Sequence, residues 1–359
     1  MTPPRISCVV AARPNFIKMA PLLAALDSSE CTTELVHTGQ HYDELMAGAF
    51  FEDLHMRAPD VELGVGSGTH AEQTAGVLVG FERHLIGNPA DIVVVVGDVN
   101  ATLGATLAAS KVGIPVAHVE AGLRSGDWSM PEEINRVLTD RLSQWLFTPS
   151  PDADEHLIAE GIERERIHFV GNIMIDTLLE FLPQARMRFE PLARRLDLPA
   201  DYAVVTLHRP SNVDDESDLR NAAETCRLVS ELVPIVLPLH PRTLRRLQEH
   251  GMSFGGRVSA IDPLGYLDFL ALVDGSRLVL TDSGGIQEET SVLGVPCLTL
   301  RENTERPVTV SLGTNRVVGT DPVRVRNAAV EALTRSRMPA QIPLWDGATA
   351  ERIRDVLLS

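Results

Sequence analysis

The sequence contains few cysteines, and their spacing excludes two kinds of small cross-linked domain. Only four occur in 359 residues, and no two form a Cys-x-x-Cys pair. A zinc ribbon or a disulfide framework needs cysteines that lie close together or are numerous for the chain length. We therefore expect buried thiols and no structural zinc, with the four cysteines at Cys8, Cys31, Cys226 and Cys297.

Long apolar runs are also missing. The most continuous one, residues 92–96, has the length of a strand, whereas a membrane-spanning helix needs about 20 apolar residues. The first residues lack the basic segment followed by an apolar one that is typical of a secretion signal. We expect a soluble cytoplasmic protein with no membrane partner.

Positive charge is scarce as well. The chain has 32 Lys and Arg against 49 Asp and Glu, a net charge of −17. Such a field repels nucleic acids and anionic membranes, so we expect no nucleic-acid partner. An anionic small molecule is still allowed, because a few basic side chains and helix N-termini can outweigh the net charge inside a cleft.

The rest of the composition is typical of a globular chain with more than one core. The sequence is 44% hydrophobic and 23% charged, a balance that does not favour disorder. At about 150 residues per domain, the length predicts two domains. Short β-branched runs alternate with helix-like segments in both halves, which is typical of parallel α/β sheets. The predicted strands are 6–11, 34–38, 92–96 and 115–119, then 202–207, 234–239, 277–281 and 296–300.

Ionisable side chains follow several of these strands. In an open parallel sheet, ligands bind beyond the carboxyl ends of the strands, so these side chains are the first candidates for a site. They are Arg13 and Lys18 after the first strand, Asp98 after 92–96, His118 and Glu120 at the end of 115–119, His208 and Arg209 after 202–207, and Asp282 and Ser283 after 277–281.

Each candidate also has a structural interpretation. Asp98 could cap the next helix, and Glu120 could pair with Arg124. Glu132 and the acid after it follow a proline, so helix-start preference explains them equally well. His208 could anchor a loop through backbone hydrogen bonds. The residue types alone leave these alternatives open.

The strongest local signal lies at residues 281–289. A strand is followed by Ser283, Gly284 and Gly285 and then by a helix, and glycines at a helix start let backbone N–H groups approach a phosphate. Two arginines, Arg301 and Arg306, follow the next strand and suit a diphosphate. A plain tight turn is the alternative. The Gly-rich run 64–68 fails the dinucleotide pattern because position 69 is Thr, and no metal-ligand motif occurs. We expect no metal, no nicotinamide and no other cofactor.

Taken together, ten segments of the chain resemble the non-hydrolysing UDP-N-acetylglucosamine 2-epimerases. The match runs in order from about residue 9 to residue 319. The segments are 13–21, 38–41, 97–98, 118–124, 130–136, 171–172, 208–209, 240–243, 282–289 and 304–307.

The resemblance implies a GT-B-like α/β fold, in which two Rossmann-like domains with parallel sheets face an interdomain cleft. The implied bounds are 1–170 for the catalytic domain, 171–345 for the UDP-binding domain and 346–359 for a last helix that returns to the first domain. It also implies a homodimer and the reversible interconversion of UDP-GlcNAc and UDP-ManNAc. UDP is eliminated to give 2-acetamidoglucal and then adds back after protonation on the opposite face.

Site residues follow from the same resemblance. The family's catalytic positions match Asp98, Glu120, Glu132 and His208. Its cleft positions match Arg13, Lys18, Gln40, His41, Arg209 and His240. Its UDP-binding positions match Ser283, Gly284, Gly285, Arg306 and Glu289, the last as partner of the ribose hydroxyls.

Some positions depart from the family pattern. Asn15 and Val308 stand where many members have Glu, and Asp43 replaces a glutamine of members that a second UDP-GlcNAc activates. These departures leave open a related substrate such as a UDP-2,3-diacetamido uronic acid. A GT-B glycosyltransferase shares the fold, but three acidic residues in the first domain exceed what a transferase needs. A nucleotide-sugar sensor would bind UDP without turnover.

Overall fold

The computed structural model describes residues 3–39, 53–207, 216–239 and 254–359. The chain divides into two units, one of Met1–Thr177 with Pro343–Ser359 and the other of Leu178–Ile342. The division at Thr177 falls inside a helix. The boundaries expected from sequence, at 170 and 345, lie a few residues from these points. The elements below are numbered along the described residues.

The first unit is built on a seven-stranded parallel sheet with the order β3-β2-β1-β4-β5-β6-β7. Its strands are β1 (Arg5–Val10), β2 (Thr32–His37), β3 (Val61–Glu62), β4 (Ile92–Val96), β5 (Val116–Val119), β6 (Trp145–Thr148) and β7 (Ile167–Phe169). Its helices are α1 (Arg13–Asp27), α2 (His70–Gly87), α3 (Asn100–Lys111), α4 (Pro131–Leu142) and α5 (Pro151–Ala159), with α6 (Ile173–Leu196) running on into the second unit.

The second unit has a six-stranded parallel sheet with the order β10-β9-β8-β11-β12-β13. Its strands are β8 (Ala203–Thr206), β9 (Ile235–Pro238), β10 (Val258–Ile261), β11 (Leu278–Thr281), β12 (Cys297–Thr299) and β13 (Asn315–Val317). The helices that follow are α7 (Glu216–Ser230), α8 (Tyr266–Asp274), α9 (Gly284–Leu293), α10 (Pro307–Ser311) and α11 (Pro322–Leu333), and the last helix of the chain is α12 (Thr349–Leu357).

All eight strands expected from sequence are present, within two residues at each end. The runs of apolar residues predicted them because a central parallel strand is covered on both faces, as in β4, where all five residues are buried. The strands that the sequence did not predict are short, and several of them, such as β10 and β13, are edge strands with polar residues. The two parallel α/β units confirm the predicted fold class.

The last helix packs within the first unit. It contacts α1, and the backbone N–H of Ala350 donates to Asp176 Oδ2 at 2.7 Å. Just before the helix, the Trp345 indole donates to the carbonyl of Pro149 at 2.8 Å. These buried polar contacts tie the end of the chain to the sheet that carries its beginning.

In the described ranges, no helix combines the length and the apolar character that a bilayer crossing requires.

Both sheets reverse their strand order at one point, between β1 and β4 in the first and between β8 and β11 in the second. Loops on the two sides of such a point leave in opposite directions and open a crevice at the carboxyl ends of the strands. Among the described candidates, Lys18, Asp98 and Glu120 follow strands at or next to this point in the first unit, and Ser283 to Gly285 follow β11 in the second.

Candidate functional site

A buried ion pair joins the loops at the reversal point of the first sheet. Lys18, in the second turn of α1, donates to the Glu120 carboxylate at the end of β5. Both side chains are buried. A buried carboxylate requires such a cation, since an isolated charge there is strongly unfavourable. The structure thus brings two predicted site residues together across strands β1 and β5, and Glu120 pairs with Lys18 rather than Arg124.

The backbone at Glu120 is in the left-handed region, with φ of 73°. This conformation costs a non-glycine residue about 1–2 kcal/mol and is often found at functional sites. Gly97, with φ of 70°, faces the pair: a Cβ atom there would lie 3.4 Å from Lys18 Nζ and 3.5 Å from Glu120 Oε2. These are ordinary contact distances, so the positive φ, and not the space beside the ion pair, favours glycine at this position.

Asn15 supports the same corner. Its side-chain oxygen accepts hydrogen bonds from the backbone N–H groups of Ala11 and Ala12, at 3.3 and 3.0 Å, and its amide donates to the Val96 carbonyl at 3.0 Å. An amide can donate and accept in this position, whereas a carboxylate could only accept. The departure from the family pattern at Asn15 therefore supplies a direct link between the start of α1 and the end of β4.

Asp98 is held by an arginine instead of capping a helix. The N-cap residue of α3 is Val99, and this cap has no side-chain hydrogen bond. The Arg136 guanidinium donates to Asp98 Oδ2 from Nε at 3.0 Å and from Nη2 at 2.6 Å. Asn135, the residue before that arginine, donates to the Asp98 carbonyl at 2.9 Å. Arg136 was not among the predicted site residues, although it ends the segment 130–136 that resembles the family.

The two adjacent acids at the start of α4 have different roles. The Glu133 carboxylate is buried, accepts from the backbone N–H groups of Ser125 and Gly126 at 2.9 and 2.8 Å, and pairs with Arg136 at 2.7 Å. Burial by itself would raise the pKa of Glu133, but these N–H donors and the arginine outweigh it and lower that pKa. The Glu132 side chain has no hydrogen-bond or ion-pair partner among the described residues. Glu133 thus has a structural role, and the catalytic role of Glu132 stays a prediction.

The glycine turn of the second unit opens α9 at the reversal point of its sheet. Ser283, Gly284 and Gly285 are partly exposed, so the N–H groups of the first helical turn are accessible. Thr281 Oγ1 accepts from the Ser283 backbone N–H at 3.0 Å and bonds to Thr206 Oγ1 at 2.7 Å. Free N–H groups at the positive end of the helix dipole are a ready site for an anion.

Arg306 lies directly against this turn. A Cβ atom at Gly284 would be 2.2 Å from Arg306 Nη1, so the missing side chain is what lets the guanidinium reach this position. Arg306 Nε donates to Glu288 Oε1 at 2.8 Å, and Nη1 lies 3.0 Å from Glu305 Oε1. Arg301 holds the other oxygen of Glu305 at 2.6 Å. The buried carboxylates therefore fix the guanidinium beside the helix start.

Glu289 is a buried acid at the second turn of α9. Burial, with a smaller contribution from the nearby Glu288, raises the pKa of Glu289 to about 7. The Tyr266 hydroxyl donates to Oε1 at 3.3 Å and partly opposes this rise. Burial and Glu289 in turn raise the pKa of Tyr266 well above its usual value. Tyr266 is a further candidate residue that no sequence pattern predicted. A carboxylate that accepts hydroxyl hydrogen bonds in a buried position suits a diol.

Several predicted site residues lie outside the described part of the chain, namely Gln40, His41, His208, Arg209 and His240. The backbone of Arg13 begins α1, while its side chain is also outside the described set. Among the described residues there is no cluster of three or more His, Cys, Asp or Glu side chains that could hold a metal ion.

Comparisons with known proteins identify the relatives of this chain. The family model described as UDP-N-acetylglucosamine 2-epimerase matches residues 24–358. A UDP-N-acetylglucosamine 2-epimerase of Methanocaldococcus jannaschii is 42% identical over 98% of both chains. A crystal structure of the M. jannaschii UDP-GlcNAc 2-epimerase in complex with UDP-GlcNAc and UDP superposes with a TM-score of 0.92, at 42% identity, over 98% of this chain and 99% of that one.

A relative of different specificity is almost as similar. A UDP-2,3-diacetamido-2,3-dideoxy-D-glucuronate 2-epimerase of Pseudomonas aeruginosa is 41% identical over 88% of both chains. Identity alone does not separate these two substrates.

Proposed function

The chain belongs to the UDP-N-acetylglucosamine 2-epimerase family and is an epimerase, and we propose that it interconverts UDP-GlcNAc and UDP-ManNAc. The observation that carries the proposal is the set of three carboxylates in the first unit. Asp98, Glu120 and Glu132 follow β4, β5 and the loop into α4, and two of them are held by basic side chains. Inversion of a C–H centre needs acids and bases on both faces of the sugar.

The chemistry explains why a diphosphate site must accompany these acids. The C2 hydrogen of the sugar is not next to a carbonyl, so a base alone removes it slowly. Departure of UDP from C1 supplies the driving force, because the C2–H electrons form the C1=C2 double bond as the C1–O bond breaks. The reverse addition, with a proton delivered to the other face of C2, completes the inversion without any outside oxidant or cofactor.

In this proposal each unit has a defined part. The N–H groups of Gly284 and Gly285 with Arg306 bind the diphosphate and stabilise its charge as it leaves. Glu289 accepts from the ribose hydroxyls. In the first unit the proton at C2 is exchanged by Asp98, Glu120 and Glu132. Arg136 holds Asp98 in position, and Lys18 holds Glu120. The remaining proposed contacts with the UDP-sugar come from His208, Arg209, Gln40, His41, Arg13 and His240.

Proton NMR in D₂O tests the proposal directly. The purified protein is incubated with UDP-GlcNAc alone, and the C2 hydrogen and anomeric signals are followed. We expect deuterium at C2 as UDP-ManNAc forms. Release of free ManNAc and UDP would show a hydrolysing enzyme instead, and an unchanged spectrum would refute UDP-GlcNAc as the substrate.

Glu120→Gln is the matched variant for this assay. It keeps the size and loses the charge that pairs with Lys18, so we expect turnover to fall at least about a hundredfold while UDP still binds. Near-normal turnover would refute the acid–base role of Glu120.

A second candidate substrate is a UDP-2,3-diacetamido uronic acid, which the Pseudomonas relative's name favours. The two are separated by running the same assay on each sugar. Deuterium incorporation into the uronic acid alone would assign the chain to that specificity.

We also propose a cytoplasmic homodimer. Ile134, Leu138 and Leu142 are exposed at every fourth position of α4, and such a stripe suits a helix that packs against a second copy. Light scattering should give twice the chain mass of 39.1 kDa, and Leu138→Glu should reduce it to the monomer. A monomeric unmodified protein would refute the homodimer.

A further inference from the structure

A fully buried His–Asp pair connects β5 with α4 in the first unit. His118 Nδ1 lies 2.6 Å from Asp140 Oδ1, and neither side chain is exposed to solvent. His118 was predicted from its strand-end position as a site candidate, but its side chain is completely buried and bonds to Asp140 and the Gly97 carbonyl. The pair therefore acts on substrate only through other residues.

Each member of the pair holds a different loop. His118 Nε2 lies 2.8 Å from the carbonyl oxygen of Gly97, the residue before Asp98. The second oxygen of Asp140 accepts from the backbone N–H of Gly122 at 3.1 Å, two residues after Glu120. One buried pair thus connects the two loops that carry Asp98 and Glu120.

The hydrogen-bond partners define where the ring protons are. A carbonyl oxygen has no proton to give, so Nε2 must donate to Gly97. Asp140 already accepts from Gly122 and pairs with Arg124 at 2.8 Å, which is the pattern of an ionised carboxylate. Donation from Nδ1 to this carboxylate as well would place a proton on both ring nitrogens of His118.

The surroundings are consistent with this charge pattern. Arg124 also pairs with Glu160 at 2.7 Å, so positive and negative groups alternate from His118 to the surface. Burial alone would raise the pKa of Asp140, but the charges of His118 and Arg124 outweigh burial and lower it.

The loop of Glu120 needs such support because the backbone conformation of this residue is unfavourable on its own. Gly97, Glu120 and Gly122 all have positive φ, of 70°, 73° and 80°. Glu120 is the only one of the three with a side chain, and its conformation persists where surrounding contacts over-determine it. The bond at Gly122 holds the chain two residues after that strained position, and the bond at Gly97 holds the neighbouring loop after β4.

We propose that His118 is a positioning residue, bound as the doubly protonated imidazolium, which with Asp140 fixes the loops of Asp98 and Glu120 in their reactive geometry. The catalytic part of this inference rests on the proposed function. The inferred positions of the ring protons are independent of the proposed function.

The ring protons are tested first on the unmodified protein. Long-range ¹H–¹⁵N correlation spectra of protein labelled with ¹⁵N-histidine report whether each ring nitrogen carries a proton. We expect both His118 nitrogens to be protonated at the pH of the activity assay. One bare nitrogen would overturn the proposal, and this measurement requires neither substrate nor a variant that folds.

The positioning role is tested with His118→Gln, which can supply a donor at only one of the two nitrogen positions. We expect kcat to fall about a hundredfold, because small displacements of reacting groups have effects of that size, while KM and UDP affinity change less than about threefold. The matched control is His84→Gln, which removes a partly buried His–carboxylate pair with Glu34 in the same unit and should keep the normal kcat.

Two results would overturn the positioning role. One is normal turnover in His118→Gln, and the other is a parallel loss of kcat and UDP affinity, which indicates general unfolding. If the unmodified protein converts no UDP-GlcNAc, the proposed function fails, and the spectra still decide whether His118 is doubly protonated.

Discussion

The buried carboxyl group of Glu289 makes a pH-dependent prediction about nucleotide binding. Its pKa of about 7 compares with an ordinary value of 4.5, a difference of about 2.5 units or ~3.4 kcal/mol between the two protonation states. The folded protein thus holds this proton more tightly than the unfolded chain does. The contribution of Glu289 to the free energy of unfolding is therefore present at low pH and is lost as the pH rises from about 4.5 through about 7.

Nucleotide binding should show the opposite trend. If the ribose hydroxyls donate to Glu289, the ionised form binds and the protonated form does not. The apparent Kd for UDP should then increase about tenfold for each pH unit below 7. In Glu289→Gln the amide has no proton to lose, so this part of the pH dependence should disappear.

The assay is calorimetric titration of UDP between about pH 5.5 and pH 8 on both proteins, with the ratio of their Kd values as the result. The ratio cancels the titration of the UDP phosphate itself. Glu331→Gln, at an exposed position of the same unit, is the control and should follow the unmodified protein. A ratio that stays constant with pH would refute the assignment of Glu289 as an ionised partner of the nucleotide.

Three further predictions follow from individual contacts. Glu132→Gln should lower turnover without loss of stability. Glu133→Gln removes a buried partner of Arg136 and should lower the free energy of unfolding, measured by urea denaturation, by about 3 kcal/mol. Equal stabilities of the two variants would contradict the separate roles of these acids. Gly284→Ala should weaken UDP binding at least tenfold by calorimetry, because its Cβ displaces the adjacent guanidinium, and an unchanged Kd would refute that geometry. Gly171→Ala should destabilise the first unit by about 3 kcal/mol, since φ is 92° and the Cβ would lie 2.1 Å from a carbonyl oxygen; a normal melting temperature would contradict this.

Local sequence patterns predicted much of the fold. Central parallel strands are buried on both faces, so each produces an apolar run such as 92–96 that is visible without any tertiary information. Short edge strands such as β13 bury less of their surface and keep polar residues, so no comparable run marks them. The order of strands in each sheet, and with it the reversal point, is a long-range property that no single segment encodes.

For the candidate site, the sequence by itself determined which residue types follow the strands and that a glycine turn precedes a helix. Only the tertiary structure decided the partners. It showed that Lys18 pairs with Glu120 across 102 positions of sequence, that Arg136 holds Asp98, and that Glu133 is committed to Ser125 and Gly126 while Glu132 is not. The physical reason is that burial, charge pairing and hydrogen-bond direction depend on distances in space, which side chains far apart in the chain acquire only when the sheets form.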